Sequence, residues 1–394
     1  MNKRVTLILC LLPILSIYKT VLPGINIGEL AVFFCVIDVL FTQKVQVKLK
    51  RNTLYATITL IVGCVLISVI DYVIFNVTDP QIYARMIRVL CYLIVACFLG
   101  NTFSVIYAAK YSMAIAKLAT FITILQVVIF KVSGWRQYFV VKPWIYSSET
   151  YNENYYYILS TDTQYRAGGI FLEPSHYCQY CLIALTLWLC VNRKVRTIKE
   201  TLWMLFVLFG VISSTSFLGL VGCLVWIILY VYLNTEKRMS YRKLAYIIAG
   251  VVLLGIMIFY NIDILQYTMM RLFSQGDFRK SLVWKNRMGS YMEIFDGGIY
   301  SFILGYGYGN VIPSSWYSSV AYILRSVGAF GTAICALLIA SLYNFKSKKS
   351  IVVFAVISYL AFVSECLTNT WCIFLICWMF SESPKWEMPI SRGE

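Results

Sequence analysis

The residues of this sequence best suited to chemistry are basic ones in places that apolar surroundings do not favour. Between positions 262 and 315 stand Arg271, Arg279, Lys280, Lys285 and Arg287, with only Asp263, Asp277, Glu293 and Asp296 to oppose them. A second segment, 132–169, carries Arg136, Lys142 and Arg166, while Arg85, Arg88 and Arg325 lie inside apolar runs. Guanidinium groups fork onto phosphate oxygens and stay charged at any relevant pH. Such a cluster suits an anion at a membrane surface, such as a lipid-linked pyrophosphate. Equally, the segment could lie on anionic headgroups, each basic residue contributing about 1 kcal/mol. Arg85 and Arg88, three apart on one helical face, have a quieter reading: Asp71, near the end of the preceding run, pairs with one of them and fixes two helices together.

The elements that must position these groups are legible in composition. Of 394 residues, 60% are hydrophobic and 13% charged, and the mean hydropathy is +0.74. A soluble chain carries roughly 25% charged residues, and apolar runs long enough for a bilayer recur throughout, which excludes a soluble class. The net charge of +16 falls in short clusters between those runs. That is a positive-inside pattern, and no nucleic-acid partner is implied. The thirteen cysteines lie mostly inside apolar runs and read as small hydrophobes, not a disulfide framework. The first run, Val5 to Tyr18, resembles a signal peptide, but no small-residue cleavage site follows it, so it is expected to be a span.

Basic clusters at Lys3-Arg4, Lys44 to Arg51, Lys110 to Lys117, Arg193 to Lys199, Lys237 to Lys243 and Lys346 to Lys349 demand an even number of crossings between neighbours. Spans near 5–22, 26–42, 53–75, 83–100, 113–131 and 170–191 meet the demand. The run 201–233 is too long for one crossing, at about 50 Å of helix, and has basic clusters at both ends. It is therefore expected to break at Ser213-Ser214-Thr215-Ser216. Spans at 244–261 and 317–343 follow, and 351–380 is again split, near Thr368-Asn369-Thr370. The expectation is an all-α polytopic membrane protein, a single integral domain over 1–394, with about twelve spans and both termini inside. It leaves two long external loops, 132–169 and 262–315, and long loops in compact proteins usually carry function.

Two stretches bring a family into view. The segment YRAGGIFLEPSHYCQY, 165–180, resembles the arginine-glycine-phenylalanine-glutamate-proline element of Wzy-type capsular and O-antigen polysaccharide polymerases. Arg279 through Trp284, the series Gly305-Tyr306-Gly307-Tyr308-Gly309 and the Gly328–Gly331 pair look like the R-x4-W, G-x-G-x-G and G-x-x-G series shared by those polymerases and the O-antigen ligases. The stretch SSTSFLGL, 213–220, is similar to the seventh-to-eighth span junction of that superfamily. Ligases usually carry a histidine just after the glycine series; here VIPSSWYSSVAYIL contains none, which favours polymerase over ligase.

The resemblance implies glycosyl transfer on the outer face of a bacterial cytoplasmic membrane, between oligosaccharide repeats carried on undecaprenyl pyrophosphate. The bilayer, a chain-length regulator and a flippase are the implied partners. Such a reaction needs cations for a departing pyrophosphate, whose charge grows in the transition state, and a base near the acceptor hydroxyl. Arg166, Arg279 and Arg287 are the candidate pyrophosphate contacts, with Arg271 and Lys285 in the same cluster and Arg325 in a second rank; Arg166 and Arg279 also count as catalytic. Glu173 is a candidate base, or a helix-terminal carboxylate ahead of Pro174 that needs no catalysis. His176 is the other candidate base, or a hydrogen-bonded structural residue. No cofactor and no metal is expected: His176, Cys178 and Cys181 do not converge on one ion without a further ligand. The aromatics of the two loops, Trp135 and Tyr306 among them, suit either sugar stacking or an interfacial belt. A flippase or transporter is the rival class, and the two long loops, with no internal repeat, speak against it.

Overall fold

The computed structural model describes residues 2–18, 20–22, 24–42, 51–76, 80–136, 165–191, 197–234, 289–292, 295, 298–310, 317–341, 343 and 347–381. The helices, in chain order, are α1 (Lys3–Leu15), α2 (Ile27–Thr42), α3 (Arg51–Ile74), α4 (Pro80–Gly100), α5 (Val105–Ser133), α6 (Pro174–Val191) and α7 (Ile198–Ser213). They continue with α8 (Phe217–Asn234), α9 (Gly289–Met292), α10 (Gly298–Leu304), α11 (Ser319–Ser341), α12 (Lys348–Val363) and α13 (Trp371–Ser381). No β-strand is formed among the described residues. The expected span 244–261 lies outside them, as do Arg271, Arg279, Lys285, Arg287, Trp284 and most of both long loops.

Among the described residues three helical stretches are long and apolar enough to cross a membrane: Gln81–Gly100, Val105–Ser133 and Ser319–Leu337. Shorter apolar helices cover Ile61–Ile74, Phe217–Leu233 and Trp371–Ser381. On α3, Ile58, Val62, Leu66, Val69 and Val73 are all exposed, and their spacing sets them on one helical face. An outward stripe of large aliphatic residues is what a hydrocarbon solvent, not water, would select. The architecture is compatible with a helical membrane protein.

Local signals account for the helix ends. The 201–233 run breaks where its hydroxyl cluster stands: α7 ends at Ser213, α8 starts at Phe217, and Thr215 between them takes a positive φ of 58°. The start of α7 is fixed by a capping box, Thr197 Oγ accepting from the Glu200 N–H and the Glu200 carboxylate from the Thr197 N–H, both at 3.2 Å. The 351–380 run is likewise interrupted, between Val363 and Trp371. Two boundaries differ from expectation. Helix α1 stops at Leu15, because residues 18–27 turn back on themselves, with Thr20 N–H on the Ile25 carbonyl and Ile27 N–H on that of Tyr18. Helix α5 begins at Val105 and takes in the basic pair Lys110 and Lys117, since lysine is a good helix former. Lys117 then lies 4.4 Å over the Trp203 ring.

The chain divides into two compact units, one of residues 1–5, 35–104 and 285–394, the other of residues 6–34 and 105–284. In the first, α4 packs on α13, and α11 packs on α3, α10 and α12. In the second, α6 is the core: α5, α7 and α8 all pack against it, and fifteen of its residues are buried. Close approach there requires small residues on α8. A Cβ on Gly219 would stand 2.5 Å from Cys178 Sγ, and one on Gly222 would stand 2.2 Å from Leu182 Cδ1.

Candidate functional site

In the second unit, residues 165–173 form a tight path into α6. Tyr165 is buried against Phe130, ring centroids 5.0 Å apart. Gly168 and Phe171 close a turn through the Phe171 N–H and the Gly168 carbonyl at 3.0 Å. Gly169 has φ +62°, and a Cβ there would lie 2.8 Å from the Ala119 carbonyl oxygen. Gln126 of α5 fastens that peptide from both sides, its Oε1 accepting from the Gly169 N–H at 2.9 Å and its Nε2 donating to the Gly169 carbonyl at 3.4 Å. Phe171 is fully buried and tilts over Tyr180 at 5.1 Å. The double glycine thus lets the chain run flat against α5 while Phe171 anchors it.

Three candidate residues lie along this path. Arg166 is half-buried, and its Nε is buried with no hydrogen-bond partner. Glu173 precedes the first helical residue, Pro174; its carbonyl accepts from the Tyr177 N–H at 3.1 Å and its Oε2 accepts from Ser175 Oγ at 2.7 Å. That is the geometry of a carboxylate at a helix start, where the missing N–H of proline does no harm and the macrodipole favours negative charge. His176 is half-buried in the first turn of the same helix.

One turn further on, the α7–α8 break meets this helix. Cys178 Sγ lies 3.1 Å from Ser214 Oγ and 3.9 Å from the Val211 carbonyl, so the SSTSFLGL and YRAGGIFLEPSH stretches are neighbours. The Thr215 Oγ1 of that break is also buried without a partner. Cys178 and Cys181 are both fully buried, and among the described residues no group of three His, Cys, Asp or Glu side chains gathers as a metal would require.

In the first unit the glycine series is folded onto a broken helix. Gly305, Gly307 and Gly309 have φ of 94°, 88° and 87°, and Gly328, with φ 65° and ψ −175°, interrupts α11. Every second residue of the series is therefore in a conformation that side chains rarely adopt. The gain is contact: Tyr306 N–H donates to the Arg325 carbonyl at 2.9 Å and Gly307 N–H to the Ser326 carbonyl at 3.0 Å. A Cβ on Gly328 would sit 2.2 Å from the Ile303 carbonyl oxygen. The series and the G-x-x-G pair, 19 positions apart at their nearest glycines (309 to 328), are one packed object.

Two arginines hold that object by its carbonyls. Arg85 Nη1 donates to the Gly309 carbonyl at 3.0 Å, and Arg325 Nε to the Asn310 carbonyl at 3.0 Å. Arg325 is 8% exposed, and its guanidinium lies 4.5 Å from the Tyr306 ring centroid. Arg325 was expected as a second-rank pyrophosphate contact; its Nε serves the backbone. The ion pair expected between Asp71 and Arg85 or Arg88 is not formed. Among the described residues Asp71 accepts from Tyr300 Oη at 3.3 Å. Burial, and then the Asp71 charge beside it, raise the Tyr300 phenol above its ordinary pKa. The physical reason is that Arg85 reaches a backbone carbonyl of the glycine series, that of Gly309, while the Asp71 carboxylate takes the Tyr300 hydroxyl.

Sequence reading missed the α3 face that receives the series. Ser68 Oγ accepts from the Tyr308 N–H at 3.0 Å, and the Tyr72 hydroxyl donates to the Tyr308 carbonyl. Ser68, Asp71 and Tyr72 recur at spacings of three and four within an apolar run, a polar stripe that could have been read. Thr120, Thr123 and Gln126 make the same kind of stripe on α5.

No protein-family model matches this chain, and no curated protein matches it.

Proposed function

We propose that this chain is a multi-pass protein of a bacterial cytoplasmic membrane that polymerises undecaprenyl-pyrophosphate-linked oligosaccharide repeats, in the manner of Wzy-type polymerases. About twelve spans, with both termini inside, are part of the same reading, as are a flippase and a chain-length regulator as partners. The observation that carries it is Arg166: a guanidinium whose Nε has no partner, on the turn that delivers Glu173 and His176 to a helix start. A permanently charged guanidinium suits a leaving group whose negative charge grows as its bond breaks. The helix-start carboxylate and imidazole are then the groups available to take the acceptor's proton. The union of the glycine series with Gly328 supports the same reading, because it explains why both motifs recur in one family: each glycine makes room for the other's backbone.

The test is deletion of the gene in its host, followed by electrophoresis of the surface glycan. A polymerase predicts glycan shortened to a single repeat unit, restored by the wild-type gene and not by Arg166→Ala at equal protein level. An unchanged ladder would refute the reading; absence of translocated repeats would turn it toward a flippase.

A further inference from the structure

Asp71 and Ser326 are both 0% exposed, and each has a buried oxygen, Oδ2 and Oγ respectively, with no hydrogen-bond partner among the described residues. Both border the same residue. The Gly307 N–H donates to the Ser326 carbonyl at 3.0 Å, and a Cβ on Gly307 would stand 3.4 Å from Asp71 Cβ. A buried carboxylate needs its charge matched, and an orphaned buried oxygen is costly. Neither Arg85 nor Arg88 supplies the match; Tyr300, which bonds Oδ1, is neutral.

The backbone adds negative character at the same place. Ser326 stands two residues before the break at Gly328, so the first half of α11 directs its carboxyl end here. Carboxylate, hydroxyl and the carbonyl end of an interrupted membrane helix together are the ligand set that alkali cations find in membrane proteins. The chemistry narrows further. Oxygen-only donors suit a hard ion, and one carboxylate balances one positive charge. Tight packing favours a small, dehydrated ion, since a Cβ on Gly307 would already be 2.5 Å from the Tyr72 ring.

We propose that Asp71 and Ser326 bind a dehydrated sodium ion that ties α3 to the interrupted α11 across the glycine series. The site is independent of the polymerase reading and holds for any activity of the chain.

The experiment is thermal unfolding of the purified full chain in detergent, in sodium chloride and in choline chloride at equal ionic strength. Wild type melts higher in sodium by at least about 3 °C. Ser326→Ala and Asp71→Asn each lose that increment. Ser301→Ala, which removes another buried hydroxyl of this unit, keeps it. Should Asp71→Asn fail to fold, Ser326→Ala decides alone. Equal melting of wild type in the two salts overturns the proposal, as does an increment that survives in Ser326→Ala. A wild-type melting point that follows pH but not sodium also overturns it, assigning a proton to Asp71 instead.

Discussion

The two units carry arginines in or beside the motif segments, and they use them in opposite ways. In the first, Arg85 and Arg325 donate to backbone carbonyls of the glycine series, 3.0 Å each, and Arg325 is nearly buried beneath Tyr306. In the second, Arg166 keeps a buried Nε without a partner, although Gln126, Phe171 and Tyr165 fix the path on which it stands. An arginine engaged with carbonyls holds a fold together; one left over beside an anchored turn is placed for something else. The same residue type in two motifs therefore predicts two different mutational signatures.

The largest expected effect belongs to the first unit's backbone. Gly328→Ala combines a φ of 65° at ψ −175° with a methyl group 2.2 Å from the Ile303 carbonyl oxygen. The backbone conformation alone costs about 1–3 kcal/mol, and the clash adds to it. Loss of accumulated protein, or a melting point lowered by more than about 3 kcal/mol equivalent, is expected. A Gly328→Ala protein that accumulates and melts like wild type would break the contrast, because the glycine series would then not depend on this packing. Gly169→Ala in the second unit should cost less: Ala119 presents its carbonyl at 2.8 Å, but Thr123 Oγ1, the other close atom, belongs to a side chain that can turn away.

Next come the two arginines that define the comparison. Arg325→Ala removes a hydrogen bond to a buried loop and a cation–π contact, and should destabilise by about 2 kcal/mol. Arg325→Lys should recover little of this, since an ammonium has no fork to reach the Asn310 carbonyl while lying over a ring. Arg166→Ala should change stability by less than about 0.5 kcal/mol while, on the proposed polymerase reading, abolishing glycan polymerisation. Chemical unfolding of the purified variants, run beside the glycan ladder, reads both quantities. If Arg166→Ala destabilises as much as Arg325→Ala, the two arginines do the same job and the distinction falls.

These cases also show what a linear sequence discloses. Long apolar runs with basic flanks disclosed the breaks at 213–216 and between α12 and α13, because span length and charge parity are local constraints. Arg85 and Asp71 were misread for the same reason in reverse. Reasoning from adjacent helices paired Asp71 with Arg85 or Arg88, while the partners of Asp71 and Arg85, Tyr300 and Gly309, lie more than two hundred residues along the chain. No periodicity reports so distant a contact. The clustering of Ser68, Asp71 and Tyr72 on one face of α3 could have said that something polar docks there, though not what. The second unit was easier to read in part, since Gly168, Gly169 and Pro174 announce a turn and a helix start directly.

A smaller effect tests the first unit from its other arginine. Arg85 is half-buried and makes a single hydrogen bond among the described residues, to the Gly309 carbonyl. Arg85→Ala should cost about 1 kcal/mol, less than Arg325→Ala, because no ring contact is lost with it. Equal costs for the two would mean that the Tyr306 stacking contributes nothing.

A small stability change is also expected at Glu173, and it sharpens the comparison most. Its carboxylate accepts from Ser175 Oγ at 2.7 Å at the start of α6. Glutamine keeps an acceptor in that position and loses only the charge–dipole component, about 0.3–1 kcal/mol. If Glu173 serves the helix alone, Glu173→Gln should therefore polymerise glycan normally with a slightly lower melting point. If it also takes the acceptor's proton, the amide has no basic lone pair to offer, and the ladder should collapse to one repeat unit with the same slight fall in melting point. His176→Gln then divides the remaining cases, since a proton taken by the imidazole would leave Glu173→Gln active and His176→Gln inactive. Retention of full ladders in both variants would leave Arg166 as the only chemical group on this path, and would move the base out of the second unit's turn.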